Sequence, residues 1–131
     1  MSKSLILVKY SLEQDQYIED SSTNISVVDL SDSTADILKI DCYKKALLVY
    51  EEKGGEKYTQ EIIPSNNIEE IVALCEEKTK ELFEKIRVQE LSKKEENEIF
   101  DTATKLLNVR NLLLKKQFKF KNDDSVVIVW G

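Results

Sequence analysis

The side chains of this sequence that could do chemistry are carboxylates, lysines and hydroxyls, because it contains no histidine. That absence removes the Ser-His and Cys-His nucleophile pairs, the commonest zinc ligand and the usual general base at neutral pH. Paired carboxylates could serve glycosidase-like or metal-assisted chemistry, but among 25 acids such pairs arise by chance. Asp29, Asp32 and Asp36 come nearest to a metal-ligand spacing, yet they lack the glycine and closing glutamate of a calcium loop. They read as a solvated acidic segment. Of the three glycines, Gly54 and Gly55 are adjacent, so no glycine-rich loop is available to cradle a phosphate. Cys42 and Cys75 cannot make a four-ligand zinc site alone, and both fall on apolar-facing positions, which predicts buried structural thiols. No catalytic residue, metal or cofactor is expected, and the chain reads as a binding protein, not an enzyme.

Charge is the next signal. The net charge is −6, but it is unevenly spread. Between Tyr10 and Leu38 stand Glu13, Asp15, Glu19, Asp20, Asp29, Asp32 and Asp36 with no base. From Thr102 to Asn122 the pattern inverts, with Lys105, Arg110, Lys115, Lys116, Lys119 and Lys121 and no acid. Such asymmetry marks a partner surface or two segments that face each other within the fold. Phe118 and Phe120 among the lysines resemble a nucleic-acid surface. Alternating Phe and Lys also describes a half-buried edge strand, and the negative net charge opposes nucleic-acid affinity, so nucleic acid is not the expected partner.

The elements that position these residues follow from periodicity. Leu5 to Val8 and Ile25 to Leu30 read as strands, with a polar loop or exposed edge over 11–24. Residues 31–35 form a polar break or a single helical turn, and Leu38, Ile40 and Cys42 alternate as in a strand. Ala46 to Tyr50 and Tyr58 to Ile63 flank Gly54-Gly55, whose freedom at positive φ suits a tight hairpin turn. After Pro64 the apolar period changes from two to 3.6: Ile68, Ile71, Val72, Cys75, Leu82 and Ile86 line one helical stripe. Asn66 with Glu69, and Ser92 with Glu95, are N-terminal caps, which predicts helices over 67–91 and 93–116 joined as an antiparallel hairpin. Phe118 to Phe120 and Val126 to Trp130 read as further strands.

A chain of 131 residues, 41% hydrophobic and 34% charged, is expected to form a single domain spanning 1–131. The expected fold is α+β: a mostly antiparallel sheet of five to seven strands, with a helical hairpin inserted before the last strands. No signal peptide or membrane span is apparent and two cysteines make no disulfide scaffold, so an intracellular location, cytoplasmic or nuclear, is expected. The function expected is that of a subunit, adaptor or assembly factor of a protein complex. Its partner would be another protein or a second copy. Two helices of this length should overhang the sheet, leaving Phe83, Val88, Leu91 and Phe100 near the turn as the binding surface. The alternative is a small acidic inhibitor that blocks a basic enzyme cleft with Glu13, Asp15, Glu19 and Asp20.

Overall fold

A computed structural model describes residues 3–131 as an α+β fold in which five strands close into a barrel and three helices lie between strands. Strands β1 (Lys3–Glu13) and β2 (Gln16–Leu30) form a long antiparallel hairpin. Next come α1 (Asp32–Leu38) and a 3₁₀ turn (Ile40–Cys42), then the hairpin of β3 (Ala46–Glu51) and β4 (Lys57–Ile62). Helices α2 (Ser65–Val88) and α3 (Lys93–Leu114) follow, and β5 (Val126–Trp130) closes the chain. The strand order is β1-β2-β3-β4-β5, with β5 antiparallel to β1. Two seams are short. β2 meets β3 in parallel only at Tyr17–Tyr50 and Ile18–Glu51, and β4 meets β5 only at Ile62–Val129.

β1 and β5 are covered on both faces, which explains why each contains an unbroken apolar run. Toward the helices, Leu5, Leu7, Val126, Ile128 and Trp130 pack with Ile68, Ile71, Cys75, Leu106, Val109 and Leu113. On the opposite face, Val8, Tyr10, Val127 and Val129 pack against Leu48 of the curled β3–β4 hairpin.

Three sequence expectations are corrected, and the choice left open over 11–24, loop or exposed edge, is resolved as strand. The segment 11–24 is strand on both sides of a two-residue turn, in which Gln14 (φ 50°) and Asp15 (φ 64°) supply the positive dihedrals without a glycine. Its polarity reflects a solvated face. Leu38, Ile40 and Cys42 are not a strand: Ser31 accepts a hydrogen bond from the Thr34 amide and starts α1, and left-handed Lys39 (φ 52°) ends it. That break leaves Leu38 and Ile40 both buried, imitating a period of two. Phe118 lies in a π-helical turn (Lys115–Lys119) that Phe120 caps, so a single strand follows the helical hairpin. The Lys116 ammonium holds that turn by donating to the carbonyls of Phe120 (3.0 Å) and Asp123 (2.9 Å). Finally, α2 starts at Ser65 after Pro64, with no side-chain cap from Asn66, whereas Ser92 and Glu95 form the expected reciprocal capping box.

Candidate functional site

The helical hairpin separates into a part that covers the core and a part that does not. Along α2 the buried positions are Ile68, Ile71, Val72, Cys75 and Thr79, and none follows before the helix ends at Val88. Nine further residues, about 14 Å of helix, therefore extend past the last buried side chain. Leu82 and Ile86 are half-buried along this extension, and Leu82 packs against the edge of the core. The returning helix begins with Ser92, whose hydroxyl accepts from the Glu95 amide at 3.2 Å while the Glu95 carboxylate accepts from the Ser92 amide at 3.3 Å. The tip is thus a closed, capped turn, and its shape does not depend on contact with the barrel.

The four expected tip residues are brought to one region, with unequal exposure. Val88 is 70% exposed, Phe100 49% and Phe83 39%, whereas Leu91 is half-buried. The Phe83 and Phe100 rings meet across the two helices with centroids 6.1 Å apart and planes at 52°. Beside Phe83, between the helices, lies an open cleft of about 460 Å³ that includes Leu107, Arg110 and Arg87. An aromatic pair beside a cleft edged by guanidinium groups is the composition that protein interfaces favour at their centres.

The expected acidic residues are placed at the other end of the chain's structure and are not all together. Asp15 lies in the β1–β2 turn and Glu13 ends the strand before it, while Glu19 and Asp20 lie further along β2. Glu19 meets Glu52 across the short β2–β3 seam. Loss of solvent and the hydrogen bond between these two carboxyls push the Glu19 acid up from its ordinary range. Close by, Tyr58 donates to Glu56 at 2.5 Å and stacks on Tyr50 with ring centroids 5.7 Å apart. Tyr50 in turn touches Tyr10, whose hydroxyl burial pushes its pKa up to about 12. An acidic rim around the exposed Tyr58 ring suits a cationic partner group.

Sequence reasoning placed both cysteines inside. Cys75 is there, fully buried, with its thiol pushed up to about 12 by desolvation. Cys42 is exposed, because the 3₁₀ turn points it away from the core that a strand would have reached. Asp29, Asp32 and Asp36 are distributed over β2 and α1, and the described residues contain no group of three potential metal ligands. Phe118 is 72% exposed, while Phe120 packs against the main core under Lys119. No helix among the described residues is long and apolar enough to cross a membrane. Sequence reasoning missed a polar stripe on α3, Lys105, Asn108, Asn111 and Lys115, which lies along β2. Its signal was present in the acid-free stretch and in the helical spacing of these four residues. Comparison with protein families, with curated proteins and with solved structures found no match.

Proposed function

We propose that this protein is a non-enzymatic binding domain, a subunit, adaptor or assembly factor that engages another protein through the tip of its helical hairpin. The observation that carries the proposal is the exposure of Phe83, Val88 and Phe100 on a helical hairpin that extends past the last buried side chain of α2. Side chains this exposed add little to the stability of the chain, and exposed apolar groups gathered at one end of an element mark sites that another surface covers.

The test is a double variant, Val88→Asp with Phe100→Asp, compared with wild type in quantitative affinity capture from the native cell. The expected result is loss of one or a few specific companions, with the melting temperature nearly unchanged. If the folded variant retains every companion of the wild type, the tip is not the interface.

A second reading is supported by the acidic rim at the β2–β3 seam, where Glu19 and Glu52 stand carboxyl to carboxyl. Here the protein is an acidic inhibitor that places its β1–β2 hairpin in a basic cleft. Such a complex should weaken steeply with salt, whereas a complex built on the apolar tip should hold its affinity.

A further inference from the structure

We propose that the outer edge of β2 is a second docking site, which accepts an extended, acidic segment of a partner protein as an added strand. Residues 23–30 of β2 pair with β1 on one side, and on the other side no strand among the described residues joins them, since the contact with β3 is confined to Tyr17 and Ile18. The direction of the free backbone groups follows from the ladder. Ser4 exchanges both of its backbone hydrogen bonds with Gly131, at 3.2 and 3.1 Å, so Leu5 and Leu7 turn toward β2 and bond Val28 and Ser26. Val27 and Asp29 then present their N–H and C=O groups to the open side. Unpaired strand edges of this kind are templates for another chain.

The edge is not open to bulk solvent alone. Between it and α3 runs a groove of about 440 Å³, walled on the helix side by Lys105, Asn108, Asn111 and Lys115. None of these four side chains has a hydrogen bond or ion pair with another described residue. The helix wall supplies cations and amides with no acid, because the chain carries none between Thr102 and Asn122. On the opposite face of the edge, Val27 is 50% exposed and Asp29 accepts a hydrogen bond from Ser4 Oγ at 2.6 Å.

These two faces specify an occupant. A strand laid on β2 alternates its side chains, so every second residue points at α3 and the others lie beside Val27. The helix-facing positions require acids, and the outer positions require apolar residues that rest on Val27 and do not add charge beside Asp29. Lys105 and Lys115 are ten helix positions apart, about 15 Å. Acids four residues apart on a strand are separated by about 13 Å, a close match. A nucleic-acid strand would find phosphate contacts at the two lysines, but no aromatic ring lines this groove and the backbone edge would stay unpaired.

The experiment is amide NMR of the full chain titrated to millimolar with three probes: a capped (Glu-Val)4 peptide, its (Lys-Val)4 counterpart, and a single-stranded oligothymidylate. The expected result is that the Glu-Val peptide alone shifts the amides of Val27, Asp29 and residues 105–115. Lys105→Glu with Lys115→Glu should reduce that response at least tenfold and transfer it to the Lys-Val peptide. Val27→Pro removes a free-edge amide without touching the β1–β2 ladder, and should abolish binding in an otherwise unchanged spectrum. The proposal is overturned by no shift with the Glu-Val peptide, by equal shifts with the Lys-Val peptide, or by stronger shifts with oligothymidylate. It is also overturned if the same amides shift on raising the protein concentration alone, which would make the occupant a second copy. The site is independent of the helical tip: Val88→Asp with Phe100→Asp should leave the peptide response intact, so either proposal can fail without the other.

Discussion

At the scale of single residues, the two thiols differ in a way that sequence spacing did not show. Cys75 sits in the main core, where burial raises its thiol to about 12 and leaves almost no thiolate at neutral pH, while Cys42 is exposed on the 3₁₀ turn. One thiol per native chain should therefore react promptly with a small disulfide reagent, and Cys42→Ser should remove that reaction. The second thiol should react only after denaturant is added. Two fast thiols in the native protein would place Cys75 outside the core. Asp41, next to Cys42, shows a different effect. It accepts hydrogen bonds from Trp130 Nε1 (3.1 Å) and from Lys3 Nζ (3.2 Å), and these, with Trp130 first, hold its carboxyl below the ordinary range. A depressed folded-state pKa adds stability above the unfolded value, and that stability is lost as pH falls through the folded one. Asp41→Asn keeps an acceptor for Trp130 but does not titrate. Its melting temperature should lie below wild type at neutral pH, and the gap should close as pH is lowered toward about 2. A gap independent of pH would show that the charge of Asp41 contributes nothing.

At the scale of elements, the tip substitutions have a stability consequence separate from binding. Exposed positions away from caps and core change stability by about 0.5 kcal/mol or less, so Val88→Asp should be nearly silent in a denaturant melt. An acid at Leu106, fully buried against the sheet, should unfold the protein. If Val88→Asp is as damaging as an acid at Leu106, the tip is packed and not free. The helices were legible because their signal is local: a 3.6 period, a run without glycine or proline, and Ser92 three residues before Glu95. The β3–β4 hairpin was legible for the same reason, through Gly54-Gly55. Its loop is nevertheless longer than the two-residue turn expected: Glu51 pairs with Lys57, and of the two glycines only Gly55 takes a positive φ (84°). The β1–β2 hairpin was hidden because its turn places Gln14 and Asp15 at positive φ, where composition favours glycine or asparagine. Its polar outer strand depends on pairing with β1, which no local pattern records. The start of α1 was legible as a single turn over 31–35, but its end was hidden by the opposite error, in which two buried residues either side of a left-handed Lys39 looked like strand alternation.

At the scale of the whole molecule, the feature the sequence could not show is closure. Nothing in the spacing of apolar residues distinguishes an open sheet from one whose β3–β4 hairpin curls over β1 and β5, because both put the same residues inside. The second docking surface follows from that closure: by folding β3 away after two residue pairs, the barrel leaves the edge of β2 beyond Ile18 without a neighbouring strand among the described residues. β5 is the element on which closure rests. It pairs with β1 over five residues, touches β4 at Ile62, and contributes to the cores on both sides of the sheet. All five of its residues are buried. At about 1.5–3 kcal/mol per fully buried apolar side chain, their combined burial is comparable with the entire stability of a small domain. A chain ending before Val126 should therefore fail to fold cooperatively and should aggregate through the exposed edge of β1. Adding the missing strand as a separate peptide should restore a melting transition if the rest of the barrel can still assemble around it. The decisive measurement is the thermal melt of the truncated chain alone. A soluble truncation that melts at the wild-type temperature would mean that the two cores do not depend on β5 and that the barrel description is wrong.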